Sequence, residues 1–145
     1  MNDRDVTAAG DDTADLDALV GEWLTLPDLA EALGTDVGKA RRLVQERRVV
    51  GVRRGERSTF QVPARFLVPL HLVEPANAGQ PTGDDRRGVL ASLQGTIVVL
   101  GDAGLTDAEI VEWLFRSDDE LGEPPLDALL AGRKAHVRRV AQSLA

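Results

Sequence analysis

The chain has 145 residues, no cysteine, a hydrophobic fraction of 43% and a formal net charge of −7 at pH 7. Such a chain can bury a core as one domain or as two very small ones, and the lack of cysteine excludes disulfides and thiolate metal sites, which suits the reducing cytoplasm where we expect this protein. No stretch is apolar over the roughly 18 residues that a membrane span requires, so we expect no membrane association.

The chain begins with an acidic segment that has no apolar period. Residues 1–24 contain seven acidic side chains and one basic side chain, and regular apolar spacing starts only at Leu16. We therefore expect residues 1–15 to form a disordered acidic tail. The apolar spacing from Leu16 to Trp23 predicts a short helix that docks on the core.

Two helix starts follow in close succession. Thr25 is typical of an N-cap, and apolar residues then recur at helical spacing up to Leu33, before Gly34. Thr35 or Asp36 is the expected cap of a second helix. The residues on the outward face of this second helix are Lys39, Arg41, Arg42 and Gln45.

After the second helix the apolar spacing changes from helical to alternating. Val49 to Arg54 and Thr59 to Pro63 are two short runs that flank the turn sequence GERS, which predicts a β-hairpin. Two helices joined by a short turn and followed by a hairpin are typical of a winged helix-turn-helix, which we place at residues 16–73. In such a unit the second helix enters the major groove of DNA.

The winged region holds most of the basic charge of an otherwise acidic chain. Residues 25–66 contain nine of the 17 lysine and arginine residues and five acidic residues. Arginine can bind phosphate oxygens or a guanine edge through two donors at once, so the cluster favours double-stranded DNA as the partner. The alternatives are a solvated surface, whose arginines pair with Glu31, Glu46 and Glu56, or a protein-binding helix-turn-helix. The candidate DNA-binding residues are Lys39, Arg41, Arg42 and Gln45 on the second helix, Arg47 and Arg48 after it, and Arg53, Arg54 and Arg57 at the wing tip.

The remaining sequence predicts a second helical unit. A turn-rich stretch at residues 74–85 is the expected linker to a C-terminal helical domain at residues 86–145. We expect a first helix over about residues 86–100, a second that begins at the capping box of Thr106, and two short helices on either side of Gly132. The predicted fold class is mainly α, a winged helix-turn-helix with a small β-hairpin wing plus a C-terminal helical bundle.

Two segments carry a family resemblance: LTLPDLAEALGTDVGKARRLVQERRVVGVRR and LTDAEIVEWLFRSDDELGEPPLDALLAGRKAHVRRVAQSLA. They resemble a family of small actinobacterial winged-helix DNA-binding proteins with a family-specific C-terminal helical domain. The resemblance extends from about Glu22 to the C-terminus and implies a DNA-binding protein without catalytic activity, hence a transcriptional or nucleoid-associated regulator. One family member is a substrate of a Ser/Thr protein kinase, which implies phosphorylation of the tail at Thr7 or Thr13.

The C-terminal part alone also resembles the toxin-binding helical domain of some helix-turn-helix antitoxins. This likeness implies a different function, that of a protein-interaction adaptor or antitoxin-like protein whose partner docks on the C-terminal helices. The same apolar residues can instead be an ordinary helical core or a dimer interface. The residues that carry the likeness are Trp113, Leu114, Leu121, Gly122, Pro125, Leu126 and Leu129.

Enzyme motifs are absent from the sequence. It has two histidines, His71 and His136, and no Gly-rich phosphate loop, HExxH sequence or nucleophile motif. The acidic clusters at residues 84–85 and 118–120 lie in turn-like sequence without further oxygen ligands at a recognisable spacing. We therefore expect no enzymatic activity, no metal site and no cofactor.

Overall fold

In the computed structural model the described residues are 16–55, 57–73 and 87–144. The predicted N-terminal helix is present at residues 16–20, and its apolar side chains pack against the core. It ends earlier than its apolar spacing predicts, because the chain turns at Gly21, whose φ of 88° favours glycine. The predicted tail at residues 1–15 and the predicted linker at residues 74–85 lie outside the described residues.

Helix α1 (Leu26–Leu33) begins and ends at the predicted residues. The Thr25 hydroxyl accepts the backbone N–H of Asp28, and the Asp28 carboxylate accepts the backbone N–H of Thr25, which completes a capping box. The helix ends at Gly34, whose φ of 72° is the left-handed conformation common after helix C-termini. These two caps fix the first helix of the predicted helix-turn-helix.

Helix α2 (Val37–Gln45) follows after a short turn. Asp36 is its N-cap, and the Asp36 carboxylate accepts the backbone N–H of Lys39 at 2.8 Å. Ala40 is completely buried, and the other apolar residues of α2 pack against the core. The helix is therefore amphipathic, with one face on the core and a polar face toward solvent.

A three-stranded antiparallel sheet forms the wing, in the order β1 (Trp23–Thr25), β3 (Thr59–Pro63) and β2 (Val52–Arg54). Strands β2 (Val52–Arg54) and β3 (Thr59–Pro63) are the predicted hairpin. Strand β1 (Trp23–Thr25) is a correction to the sequence analysis, which predicts helix up to Trp23. Trp23 instead pairs with Pro63, because the short strand between the two helices finds hydrogen-bond partners on the returning hairpin.

A second small sheet pairs a strand that precedes residues 74–86 with a strand that follows them. Strand β4 (Leu67–Pro69) pairs antiparallel with strand β5 (Arg87–Val89). The prediction of helix over residues 86–100 is therefore wrong at its start, and helix α3 (Leu93–Asp102) begins later. Gly88, a poor helix former, pairs with Val68 in this sheet. A Cβ atom at this position would lie 2.6 Å from Val73, so the close approach of the two segments favours glycine.

Three further helices complete the mainly α fold: α4 (Asp107–Phe115), α5 (Pro125–Leu130) and α6 (Lys134–Gln142). Helix α4 begins at the predicted capping box of Thr106. Gly132, with a φ of 88°, separates α5 from α6 as predicted. No helix in the described parts of the chain is long and apolar enough to cross a membrane. The predicted fold class is confirmed.

A single cluster of buried hydrophobic residues extends through the winged region and the C-terminal helices. The ring of Phe66, which precedes β4, lies 5.7 Å from the ring of Phe115 at the end of α4, measured between centroids. Leu29 of α1 and Leu114 of α4 are both completely buried in the same cluster. The winged helix is thus fixed against the C-terminal helices by a shared core as well as by the β4–β5 pair.

Candidate nucleic-acid interface

The outward face of α2 is the most exposed part of the candidate site. All four predicted residues of this face are exposed, and no described carboxylate pairs with its three cationic side chains. The two acidic groups nearest in sequence have other partners, since Asp36 binds the backbone as the helix cap and Glu46 pairs with Arg48. The face therefore presents positive charge and an amide to solvent. Its residues are Lys39, Arg41, Arg42 and Gln45.

Arg47 and Arg48 follow α2 but point to different surroundings. Arg47 has a φ of 62°, an uncommon value for a residue other than glycine, and its guanidinium donates to Asp107 Oδ1 at 3.0 Å. Arg48 donates to Glu46 Oε1 at 3.2 Å, and its side chain stays 54% exposed. Arg47 therefore links the winged region to the start of α4, whereas Arg48 stays at the surface beyond the end of α2.

The wing presents two exposed arginines. Arg53 donates across the hairpin to the Ser58 carbonyl at 3.0 Å, and its side chain is exposed. Arg57 is exposed in the turn between β2 and β3. Both side chains carry positive charge at the tip of the wing, where the sequence analysis places them.

Arg54 is not at the exposed tip, which corrects the position predicted for it. Successive residues of a strand point to opposite faces, so Arg53 faces solvent and Arg54 turns inward. Only 19% of the Arg54 side chain is exposed. Its guanidinium lies 4.6 Å from the centroid of the Trp23 ring, donates to Gln61 Oε1 at 3.1 Å and forms an ion pair with Asp17. Arg54 therefore joins the N-terminal helical segment to the wing.

Three side chains that the sequence did not indicate support this surface. Asp17 and Asp107 hold Arg54 and Arg47, and the Gln94 side chain donates at 2.8 Å to the carbonyl of Glu46, the C-cap of α2. Of the carboxylates expected to pair with arginines, Glu31 and Glu46 are among the described residues, and of these two Glu46 forms an ion pair. Glu56 lies outside the described residues, as do the candidate phosphorylation sites Thr7 and Thr13.

The residues behind the antitoxin likeness are mainly core. Leu114, Leu126 and Leu129 are completely buried, and Gly122 has a φ of 76° in the turn before α5. Trp113 is the exception, because it lines a surface groove of about 360 Å³. The other groove residues include two apolar and four charged side chains: Leu105, Leu144, Glu109, Glu112, Arg116 and Asp118. In the described ranges no three histidine, aspartate or glutamate side chains are grouped so that they could hold a metal ion.

Comparisons with known proteins agree with this architecture. A family model described as "DNA-binding protein Rv2175c, wHTH domain" matches residues 9–67, and one described as "Rv2175c C-terminal domain of unknown function" matches residues 90–145. The chain is 33% identical over 149 residues to the DNA-binding protein Rv2175c of Mycobacterium tuberculosis (strain ATCC 25618 / H37Rv), covering 94% of this chain and 88% of the relative. The NMR structure of Rv2175c is similar with a TM-score of 0.64 and 30% identity, covering 86% of this chain and 81% of that one. The predicted family, small winged-helix DNA-binding proteins with a family-specific C-terminal domain, is confirmed.

Proposed function

Because the chain belongs to the family of DNA-binding protein Rv2175c, we propose that it binds double-stranded DNA through its winged helix-turn-helix. The observation that carries the proposal is the exposed polar face of α2, which is cationic in a chain of net charge −7. None of its three cations forms an ion pair with a described carboxylate, and Asp36 is used as the helix cap. A positive helix face of this kind is the electrostatic feature of DNA recognition.

The dimensions of α2 suit the major groove. An α-helix with its side chains is about 10–12 Å in diameter, and the major groove of B-DNA is about 12 Å wide. Arg41, Arg42 and Gln45 carry the donors that read base edges, since arginine pairs bidentately with guanine and glutamine with adenine. Lys39 begins the same face near the helix N-terminus and is assigned to a phosphate or base contact.

The other arginines are assigned two roles: some contact DNA, and the others support the surface that meets it. We assign Arg48, Arg53 and Arg57 to phosphate contacts, because their side chains are exposed beside α2 and on the wing. Arg47 and Arg54, which the sequence analysis also proposed as DNA contacts, already bind carboxylates. Their proposed role is to fix the orientation of the surface that meets DNA.

The wider role proposed is that of a transcriptional or nucleoid-associated regulator in the cytoplasm, without catalytic activity. Residues 16–73 would be the DNA-binding unit and residues 86–145 a helical domain packed against it. A Ser/Thr protein kinase is proposed to modify Thr7 or Thr13. A phosphate adds about −1.5 to −2 charges, which would oppose the approach of the DNA backbone.

Fluorescence anisotropy with a labelled duplex of about 21 bp, two helical turns, tests DNA binding. We expect the affinity to fall as salt rises, because bound cations release counterions from the DNA. Arg41→Gln or Arg42→Gln should each cost roughly 1–3 kcal/mol if the side chain reads a base, and should relax preference at one position of a target selected from a random pool. Arg116→Gln removes the same charge from the far end of α4 and is the matched control. A flat salt dependence, or full affinity after both α2 arginines are lost, would overturn the proposal.

The groove beside Trp113 favours a second candidate function, namely binding of a protein partner through the C-terminal helices. The groove combines apolar walls with the acidic side chains of Glu109 and Glu112, so a segment with apolar and basic side chains would fit it. Leu144, which is 45% exposed at its edge, can be replaced by aspartate without disturbing the core. A partner that co-purifies with the wild type and is lost in Leu144→Asp, with DNA affinity unchanged, would support this function. Equal retention by both proteins would argue against it.

A further inference from the structure

Basic charge in the C-terminal half is concentrated in its last helix. Residues 67–127 contain twelve acidic and three basic side chains, whereas residues 128–145 contain four basic and no acidic side chains. Arg133, the first of the four, forms an ion pair with Glu123. The other three lie on α6 and are exposed; we refer to them as the α6 basic face, and they are Lys134, Arg138 and Arg139.

Apolar residues on the side opposite the α6 basic face hold the helix on the core. Val137, Val140 and Ala141 bury the opposite side of α6 in the core. Within the described ranges, no carboxylate pairs with any of the three cations. Lys134 and Arg138 are four residues apart, and like charges at this spacing destabilise a helix. A partner of opposite charge, bound beside Lys134 and Arg138, would relieve this repulsion.

The start of α3 contacts both the α6 basic face and the end of α2. The Arg138 guanidinium covers Gly95 of α3, where a Cβ atom would be only 2.5 Å from Nη2. The preceding residue, Gln94, donates at 2.8 Å to the carbonyl of Glu46, the C-cap of α2. Gln94 and Arg48 also line the same small cleft. Since the Cα atoms of consecutive residues are about 3.8 Å apart, Arg138 and Arg48 flank the same short stretch of α3.

We propose that the α6 basic face is a second phosphate-binding surface, which contacts the DNA backbone beside the groove that α2 enters. The inference rests on the proposed function. Because a recognition helix reaches the base edges with its N-terminal residues, cations just beyond the C-terminal end of α2 lie outside the groove, near the sugar-phosphate strand. Arg48 is the first of these cations, and Arg138 and Arg139 continue the surface onto α6. The C-terminal domain, whose family description names no function, thereby takes part in DNA binding.

The number of phosphate contacts can be read from the salt dependence. The logarithm of the binding constant changes by about 0.9 per contact for each tenfold change in salt, so one contact accounts for a roughly 3.5-fold loss of affinity between 50 and 200 mM salt. Arg138→Gln and Arg139→Gln should each reduce the loss seen in the wild type by about this factor, and the double variant by about 12-fold. The effect should be the same for any sequence of a mixed 21-bp duplex, because phosphates carry no sequence information.

Three controls separate this contact from other effects. Arg116→Gln changes the net charge equally on the groove side of α4 and should leave the slope close to that of the wild type. Arg138→Lys keeps the charge and should restore the slope. Thermal unfolding of each variant tests the fold, and Arg139→Gln keeps the test valid if loss of the Arg138 contact with Gly95 perturbs α3.

The outcomes distinguish the inference from the function on which it rests. If the wild type binds the duplex without salt dependence, the proposed function and this inference both fail. If the wild type binds and the α2 variants weaken it, but Arg138→Gln and Arg139→Gln behave like Arg116→Gln, only the inference is overturned. Slopes reduced by about one unit for each lost arginine of α6 support it.

Discussion

Arg54 offers the clearest separation between a supporting residue and a DNA contact. Its guanidinium stacks on Trp23, donates to Gln61 and pairs with Asp17, with 19% of the side chain exposed. The stacked cation contributes about 1 kcal/mol at partial burial, the hydrogen bond about 1 kcal/mol, and the ion pair with a half-exposed carboxylate less than about 1 kcal/mol. Arg54 Nε is buried without a partner among the described residues, which offsets part of this gain.

We expect Arg54→Ala to lower the free energy of unfolding by about 2 kcal/mol. For a chain of this size that corresponds to a fall in Tm of about 4–8 °C. Asp17→Asn removes the ion pair alone and should lower the stability by less than about 1 kcal/mol. Thermal denaturation followed by circular dichroism measures both variants.

DNA-binding measurements test whether Arg54 contacts DNA. Arg54→Ala should leave the salt slope unchanged at a temperature where the variant is folded, whereas Arg57→Ala at the wing tip should flatten it by about one unit. An Arg54→Ala protein with wild-type Tm and a flattened slope would refute this reasoning. That result would mean that Arg54 leaves Trp23 and Asp17 to reach a phosphate.

Two further predictions concern the wing and the tail. Gly51→Ala should destabilise the protein by about 1–3 kcal/mol, measured by denaturant unfolding, because an added Cβ would lie 2.8 Å from Phe60 and from Val62 and still closer to the Gln61 carbonyl; an unchanged midpoint would show that β3 can move away. The double variant Thr7→Glu/Thr13→Glu should bind DNA more weakly than Thr7→Ala/Thr13→Ala at low salt, since the added negative charge opposes the DNA backbone. Equal affinities in anisotropy would exclude an electrostatic role for these two positions.

Local signals in the sequence correctly predicted where α1, α2 and α4 begin. Thr25, Asp36 and Thr106 each cap a helix through a side chain that accepts an N–H three residues later, so the cause of each boundary lies within one turn. Strands β1 and β5 were missed for the opposite reason. Each has three residues and is held by a partner strand distant in sequence, as in the pairing of Trp23 with Pro63. Such strands are too short to show the alternation that would identify them.

In the candidate site, too, the sequence predicted what depends on local pattern and missed what depends on distant residues. Helical periodicity alone places Arg41 and Arg42 on the outward face of α2, and both are exposed there. The orientation of Arg47 and Arg54 depends on carboxylates 60 and 37 residues away, which no local pattern specifies. A count of basic residues therefore overestimates the contact surface, since it includes side chains that are already neutralised within the protein.

Net charge, by contrast, underestimates the capacity of a chain to bind nucleic acid. A charge of −7 argues against nucleic-acid binding only if the charge is spread evenly, because exposed charges further apart than the Debye length of about 10 Å at 0.1 M salt are largely screened from each other. A phosphate beside α2 therefore responds most to the cations nearest to it, Arg41, Arg42 and Arg48. Distant acidic groups still lower affinity at low salt, where screening is weak. They would thus disfavour non-specific binding and orient the approach of DNA toward the cationic face of α2.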